Sequence, residues 1–484
     1  MSVKAQILGW LRPLVYLGRN PISMTGAVLT TSSAVTVVAF WLFEIVLGGG
    51  AAVYPYAGIL VYLILPALFV LGLILMPAGA LWRRRLLRHR GELPSLYPQV
   101  DFAHPLLRRA AVLIALATFA NVVIFTAASY KGVQYMDSVQ FCGTTCHTVM
   151  QPEYTAYLHS PHSRVACVQC HIGPGASWFV RSKLSGVNQV FAVLFDTYHR
   201  PIPSPVTDLR PARATCEECH WPQRFEGNIL LVLNHYDSDE ANTSETTVLL
   251  MKVGGQSANG PQGIHGHHLA PGTKITYIAL DRERQIIPVV TYTDTNGKTT
   301  VFRSTAIKTT PEQLAQAQHR TMDCMDCHNR PTHTFQLPGE ALDQQMSEGY
   351  IKADLPYIKR EALAALKTNY PSRQIATQRI AEILENFYRT QYPQVIVTKN
   401  AQLQQAIHTV QQIYLRNVFP KMHVTWGTYI DDLGHMNWPG CFRCHDGNHV
   451  AADGQTIPND CSTCHDILAM SEHNPKILSE LGVK

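Results

Sequence analysis

The stretch CMDCHNRPTH (residues 324–333) holds two cysteines separated by two residues and followed at once by a histidine. This C-x-x-C-H pattern occurs five times, and a sixth copy, FCGTTCHTVM (141–150), has three residues between its cysteines. The six copies contain all twelve cysteines of the chain. The cysteine pairs are Cys142/Cys146, Cys167/Cys170, Cys216/Cys219, Cys324/Cys327, Cys441/Cys444 and Cys461/Cys464. The histidines that follow them are His147, His171, His220, His328, His445 and His465.

This spacing is the attachment signature of c-type haem, in which the cysteines form two thioethers and the next histidine is the proximal iron ligand. Disulfides would not require a histidine after every pair, and structural zinc groups its ligands in fours. We therefore expect six covalent c-type haems. The stretch between Cys441 and Cys461 contains almost no apolar bulk, so haem has to supply the core there.

Three apolar runs, 26–48, 56–76 and 110–130, are each long enough to cross a membrane as a helix. One such run could be a buried helix of a soluble protein, but three before residue 131 favour membrane spans. The first run lacks a small-residue cleavage site and is interpreted as a retained signal anchor.

Charge predicts the topology of these spans. The link between the second and third runs contains RRRLLRHR (83–90), whereas residues 49–55 carry no charge. The positive-inside rule therefore places the amino terminus and the Arg-rich loop in the cytoplasm, with the haem-bearing region in the periplasm of a bacterial inner membrane. The net charge of +5 is modest and spread along the chain, so we expect no nucleic-acid partner.

The expected fold is three transmembrane α-helices followed by a haem-packed, mostly α/irregular multihaem cytochrome c domain with a small β insertion. Within the helical region, AQLQQAIHTVQQIYL places Leu403, Ile407, Val410 and Tyr414 on one helix face. The expected segments are a cytoplasmic amino-terminal segment (1–25), a three-helix anchor (26–130) with a cytoplasmic Arg-rich loop (82–109), a domain with haems one to three (131–225), a β-rich insertion (226–318), the fourth haem motif (319–335), a helical region (336–430) and a two-haem carboxy-terminal segment (431–484).

A membrane anchor followed by CGTTCHTVMQPEYTAYLHSPHSRVACVQCH, then CEECH, then CMDCHNRPTH, resembles the NapC/NirT family of membrane-anchored multihaem cytochromes. The likeness covers about residues 109–225 and 320–335. It departs from the common four-haem form in its three spans, its insertion near 226–318 and its two additional haem motifs. The longer forms of the family, with extra helices and haems, are the closer likeness.

The resemblance implies oxidation of menaquinol or ubiquinol from the membrane quinone pool and electron delivery to a periplasmic or membrane-bound acceptor in respiration. It makes His162 and His333 distal ligands, each for a haem other than the one attached beside it. It also suggests that Met150 replaces histidine as an axial ligand of the first haem, where thioether ligation raises the potential. A methionine that only packs in a haem-lined core is the alternative for Met150.

Outside the matched region, His435 and His449 flank the fifth motif and are candidate distal ligands for the last two haems. The run IHGHH offers His265, His267 and His268, among which we favour His265. The choice among these three stays open at the sequence level.

A quinol site needs a group that holds the headgroup and a proton acceptor. Lys183 lies where the resemblance implies a quinol-site lysine, but no carboxylate follows it before Asp196. Glu44, near the outer end of the first run, is a candidate substitute, or an interfacial acid that reaches for water.

A second hypothesis makes the chain a non-catalytic electron-relay subunit of a larger membrane complex, with no quinone site of its own. Three spans exceed what an anchor needs, and this favours contacts with helices of partner subunits. Reduction of the isolated protein by quinol distinguishes the two hypotheses.

Overall fold

The computed structural model describes residues 12–13, 15–47, 64–97, 105–145, 147–173, 175–206, 209–225, 227–257 and 260–483. The chain divides into two compact units, Met1–Thr145 and Cys146–Lys484. The boundary falls inside the first haem motif.

The described residues of the amino-terminal unit include three long helices: α1 (Pro21–Leu47), α2 (Leu65–His89) and α3 (Pro105–Met136). Within them, Pro21–Phe40, Leu65–His89 and Ala115–Met136 are long and apolar enough to cross a membrane. The prediction of three membrane-length helices is confirmed. The start of the second predicted run, residues 56–63, lies outside the described residues.

Small residues let α1 and α2 approach closely. A Cβ atom on Gly26 would lie 2.7 Å from the carbonyl oxygen of Gly72, so neither position has room for a side chain. The Ser23 hydroxyl donates a hydrogen bond of 2.7 Å to the carbonyl oxygen of Met76 across the same contact. Close packing of small residues is a common means of associating helices where lipid surrounds them.

The Arg-rich segment differs from the expected loop over 82–109. Helix α2 continues through it to His89, and α3 already begins at Pro105. Arginine and leucine are good helix formers, so this sequence extends the helix rather than ending it. The chain leaves the helical conformation at Gly91, whose φ is +71°.

In its described residues, the second unit combines helices of varied length with ten strands. Its helices are α4 (His147–Leu158), α5 (Cys167–His171), α6 (Ala176–Leu194), α7 (Ala212–Cys216), α8 (Gly263–Leu269), α9 (Pro311–Gln316), α10 (Pro338–Ser347), α11 (Ile358–Lys367), α12 (Arg373–Gln391), α13 (Pro393–Thr398), α14 (Asn400–Asn417) and α15 (Lys476–Glu480). Its strands are β1 (Ile229–Tyr236), β2 (Ser244–Met251), β3 (Gln256–Ser257), β4 (Gly260–Pro261), β5 (Lys274–Ala279), β6 (Val289–Thr293), β7 (Thr299–Ser304), β8 (Gln318–Thr321), β9 (His449–Ala451) and β10 (His465–Glu472).

The predicted β insertion is present, and strands from other segments complete its sheets. One sheet has the order β8-β5-β6-β7-β9 and another has the order β1-β2-β10, while β3 and β4 form a short pair. Strands β9 and β10 belong to the carboxy-terminal segment, and β8 belongs to the segment of the fourth motif. The insertion and the carboxy-terminal haem motifs therefore share backbone hydrogen bonds.

Helices α10 to α14 enclose the largest apolar core of the unit. Leu342, Leu366, Ile380 and Leu384 are fully buried in it. The prediction for α14 is confirmed, because its predicted apolar face is buried in the same core. This region folds by ordinary burial of apolar side chains.

Candidate haem-binding sites

Short helical turns present each of the five C-x-x-C-H motifs. The second motif forms α5, and the third ends α7. The last three form 3₁₀ turns at Cys324–Asp326, Gly440–Arg443 and Cys461–Thr463. In α5, the first cysteine and the histidine four residues later lie on one helix face.

Hydrogen bonds close these turns. The backbone N–H of His220 donates to the carbonyl oxygen of Cys216 at 2.8 Å, and His328 donates likewise to Cys324 at 2.8 Å. The geometry suits attachment through the two sulfur atoms with the imidazole directed at the iron.

Three of the predicted attachment cysteines, Cys170, Cys219 and Cys461, are exposed, whereas the first cysteine of the third motif, Cys216, is half-buried. The physical reason is local, because the segments around these turns bury few apolar side chains and protein atoms alone leave the sulfur atoms open to solvent. A thioether bond needs a reactive sulfur atom and does not need a buried one, so the assignment of Cys170, Cys219 and Cys461 to covalent haem stays a prediction.

Every motif histidine of these five turns faces a second imidazole. Two imidazoles on opposite sides of one iron have ring centroids roughly 6.2 Å apart, from two metal–nitrogen bonds of about 2.0 Å and about 1.1 Å inside each ring. The five observed separations agree with this value. They are His171–His333 at 6.2 Å, His162–His220 at 5.9 Å, His265–His328 at 6.3 Å, His268–His445 at 5.9 Å and His435–His465 at 6.1 Å.

Hydrogen bonds at Nδ1 show which ring nitrogen is available to iron. The Nδ1 atom lies 3.3 Å from the Pro331 carbonyl oxygen in His162 and 2.7 Å from that of Ile264 in His268. In His445 the corresponding distance, to the carbonyl oxygen of Pro458, is 2.6 Å.

A carbonyl oxygen only accepts hydrogen bonds, so Nδ1 carries the proton in these rings and Nε2 keeps its lone pair. Metal-bound histidines have this arrangement in general. The residues present therefore fit haem iron held between paired imidazoles.

Burial keeps several distal histidines neutral. It lowers the pKa values of His265 and His333, and it lowers the pKa of His268 to about 4. Neutral imidazole is the form that coordinates a metal, so these side chains are ready to bind near neutral pH.

His449 does not face a motif histidine, and this corrects its assignment as a candidate distal ligand. Its side chain is completely buried, with Nδ1 at 2.9 Å from Asp446 Oδ1 and Nε2 at 2.8 Å from the Ile287 carbonyl oxygen. Both ring nitrogens are thus engaged, and no nitrogen remains for iron. His268 is the histidine that faces His445.

The first motif is described only in part. Cys142 lies in a π-helical turn, Phe141–Thr145, while Cys146 and the imidazole of His147 lie outside the described residues. Met150 is half-buried on α4, one turn after His147 and on the same helix face. The assignment of Met150 as a candidate distal ligand of the first haem stays a prediction.

The proposed quinol-site residues lie on separate units. Lys183 is half-buried on α6, and Glu44 lies on α1 with its side chain outside the described residues. The next carboxylate after Lys183, Asp196, is exposed and paired with Arg200. Hydrogen bonds from Arg200 lower the pKa of Asp196, which makes this carboxylate a weak proton acceptor.

Two functional side chains were missed by the sequence reasoning. The sequence reasoning favoured His265 over His268 as a distal ligand. The two histidines are three residues apart on one short helix, and this spacing lets each serve as a ligand for a different iron. Glu153, which contacts His333, had no sequence signal, because the residues that meet it lie far along the chain.

Five haem-attachment turns with paired imidazoles, preceded by three membrane-length helices, define a membrane-anchored c-type cytochrome. Comparison with known proteins agrees: residues 105–202 match the model of the NapC/NirT cytochrome c family, N-terminal region. The chain belongs to the NapC/NirT family of cytochromes c, and the resemblance predicted from the motifs is confirmed.

Two curated relatives extend this result. The chain is 43% identical over 459 residues to the cytochrome c-type protein ImcH of Geobacter sulfurreducens, which covers 94% of this chain and 89% of that protein. It is 26% identical over 111 residues to the cytochrome c-type protein NrfH of Wolinella succinogenes, which covers 22% of this chain and 62% of that protein. No solved structure matches the chain.

Proposed function

We propose that this chain is a hexahaem cytochrome c that oxidises quinol at the periplasmic surface of the bacterial inner membrane and relays electrons to periplasmic or membrane-bound acceptors. Haem c, when bound, supplies reversible one-electron exchange at its iron. The chain supplies the thioethers, the imidazole pairs, the spacing of the sites and the quinol-binding groups.

One observation supports this proposal most strongly: each distal histidine next to a motif in sequence faces the histidine of a different motif, so that neighbouring sites are linked by short chain segments. His162 lies five residues before Cys167 of the second motif but faces His220 of the third. His333 lies five residues after His328 of the fourth motif but faces His171 of the second. Because an extended chain spans at most about 3.5 Å per residue, each such link keeps two sites within roughly 18 Å.

The last three sites are linked in the same way. His265 and His268, three residues apart on α8, face the histidines of the fourth and fifth motifs. His435 lies six residues before Cys441 of the fifth motif but faces His465 of the sixth. An unbroken series of sites from the second to the sixth motif supports a relay rather than a set of isolated haems.

The first motif is the proposed entry point for electrons. It follows the third membrane helix closely in sequence, and Met150 would offer the softer ligand there. Glu153, six residues after His147 on α4, contacts His333 of the second site. A rise of 1.5 Å per residue places about 9 Å of helix between them, which supports direct transfer from the first site to the second.

Lys183 is the proposed contact for the quinol headgroup, through a hydrogen bond from its ammonium group to a quinol oxygen. The proposed topology keeps the amino terminus and the Arg-rich segment in the cytoplasm, so the haem sites and Lys183 face the periplasm. Glu44 stays a proposed proton acceptor, because Asp196 is held by Arg200.

Quinol-dependent reduction of the purified protein, followed by haem absorbance, tests the proposal. We expect the wild type to be reduced and Lys183→Met to be reduced about 100-fold more slowly, as is typical of the loss of a positioned polar group. Arg181→Met, which removes a charge from the same helix, is the matched control and should retain the wild-type rate. Dithionite should reduce all three proteins to the same spectrum.

If quinol leaves the wild type oxidised while dithionite reduces it, the chain is the non-catalytic relay subunit of a larger complex. The three membrane helices, more than an anchor needs, are the observation that favours this second candidate.

A further inference from the structure

One distal histidine has a carboxylate at its Nδ1 atom. In His333, Nδ1 lies 3.0 Å from the backbone carbonyl oxygen of Glu153 and 3.2 Å from the carboxylate oxygen Oε2 of the same residue. The Glu153 side chain is only 13% exposed. The contact is therefore shielded from water, where charge interactions are strongest.

Arg330 holds the Glu153 carboxylate in place. Its guanidinium donates hydrogen bonds to both carboxylate oxygens, at 3.3 Å and 3.2 Å, and its Nε donates to the carbonyl oxygen of His333 at 2.8 Å. The guanidinium also lies over the ring of Tyr429, 4.2 Å from its centroid. The carboxylate cannot turn away from the imidazole without breaking its hydrogen bonds to Arg330.

The other distal histidines lack this feature. Nδ1 of His162 and of His268 faces a neutral backbone carbonyl. In the described part of the chain, none of His162, His265, His268 and His435 has a carboxylate within ion-pair distance. His333 is thus distinguished among the five distal histidines by chemistry, while the separation of its ring from His171 matches the other pairs.

We propose that Glu153 is a positioning residue that lowers the reduction potential of the haem attached at Cys167 and Cys170. The backbone carbonyl of Glu153 accepts the hydrogen bond from Nδ1 and fixes the ring orientation, and the carboxylate beside it adds a negative charge that increases the electron donation of Nε2. A stronger donor and a nearby negative charge stabilise ferric over ferrous iron. The inference rests on the proposed ligation of that haem by His171 and His333.

Glu153→Gln separates the charge from the shape of this contact, because the backbone carbonyl and an amide of similar size remain. Mutation of an outer-shell partner of a metal-bound histidine in general changes metal affinity or activity about 10–100-fold. We expect the ferrous-to-ferric ratio of one haem at a fixed potential to rise about tenfold, a positive shift of about 59 mV for a one-electron couple.

The test is a chemical redox titration of the purified holoprotein, combined with EPR of the oxidised state. One of the one-electron transitions should shift upwards in Glu153→Gln, and the g-values of one low-spin signal should move. Glu382→Gln, which removes an exposed carboxylate paired with Arg379, is the control and should leave every transition unchanged. Haem content by mass has to equal that of the wild type in each variant.

Unchanged potentials and g-values in a fully loaded Glu153→Gln protein would overturn the proposal. If this variant does not accumulate with all its haems, Glu153→Asp asks the same question, since the shorter side chain draws the charge back from Nδ1. The reduction potential of this haem should rise by less in Glu153→Asp than in Glu153→Gln. An unchanged potential would again overturn the proposal. Chemical titration needs no quinol, so a failure of quinol oxidation would be recognised separately.

The haem ligation itself has an independent check. His333→Ala should convert one low-spin haem to high spin. A fully loaded variant without this change would show that the assumed ligation is wrong.

Discussion

Two parts of the carboxy-terminal unit of similar length are stabilised by different means. Between Ala341 and Val418, twenty-two buried side chains form one apolar core. In the described residues of 147–225, which carry the second and third C-x-x-C-H motifs, the buried hydrophobic side chains are Val149, Ala156, Tyr157 and Ala212. The comparison indicates that covalent haem forms the core of 147–225, whereas apolar side chains such as leucine and isoleucine form the core of 341–418.

The largest effect should come from withholding haem altogether. Expression without cytochrome c maturation removes the proposed core of 147–225 and leaves the apolar core of α10 to α14 in place. We expect backbone amides of 147–225 to exchange with solvent within seconds while those of α12 and α14 stay protected, measured by hydrogen exchange with mass spectrometry. Equal protection of both regions would remove the distinction between them.

Loss of one distal ligand should disturb one haem and leave the helical core intact. In His268→Ala, one haem should change from low spin to high spin, which EPR and resonance Raman spectroscopy detect. His267→Ala is the matched control, because His267 is the exposed neighbour on the same helix and should leave all haems low spin. His449→Ala should also leave every spin state unchanged, and a high-spin signal from it would restore His449 as a ligand.

A cavity in the helical core should have the converse effect. Leu384 is fully buried, so Leu384→Ala should lower the free energy of unfolding of this region by about 2–5 kcal/mol in urea denaturation followed by circular dichroism. Val397→Ala, at a position that is 84% exposed, should change it by less than about 0.5 kcal/mol. Haem absorbance should be the same in both variants, and a changed Soret band in Leu384→Ala would mean that the two regions are coupled.

Chemistry that is local in the sequence could be predicted from it. Haem attachment needs two cysteines and a histidine within five residues, so the motif identifies the site without knowledge of the fold. Membrane helices are likewise visible in continuous hydrophobicity, and the α14 face is visible in its period. The three membrane-length helices and the buried face of α14 are confirmed, while the haem-attachment residues stay a prediction.

The exposure of individual cysteines could not be read from the motif. Cys216 and Cys219 belong to one motif, yet the first is half-buried and the second is exposed. Which sulfur atom is covered depends on the side chains that other segments bring to the turn, and the motif itself carries no information about them.

The distal pairing in the carboxy-terminal segment depends on contacts between distant parts of the chain. His449 begins β9, where it pairs with Ser304 of β7, and this register buries its ring against Ile287. The same sheet brings the β insertion towards the fifth motif, where His268 meets His445. Sequence proximity therefore favoured His449, while strand register determines which histidine faces the motif.

The carboxylate of Glu153 could not be predicted for the same reason. Its partners Arg330 and His333 lie more than 170 residues further along the chain, and all three are ordinary residues in their local sequence. The contacts of Glu153 with Arg330 and His333 form only because the fold packs α4 against the fourth motif.

The proposed function depends on six covalent haems, with the first at the atypical motif that begins at Cys142. The most direct measurement is the intact mass of the purified holoprotein together with peptide mapping across residues 142–147. Six haems, one of them on that peptide, are the predicted result, and they would establish the entry site next to the third membrane helix. Five haems with that peptide bare would contradict the account and leave the chain as a relay without an entry site of its own.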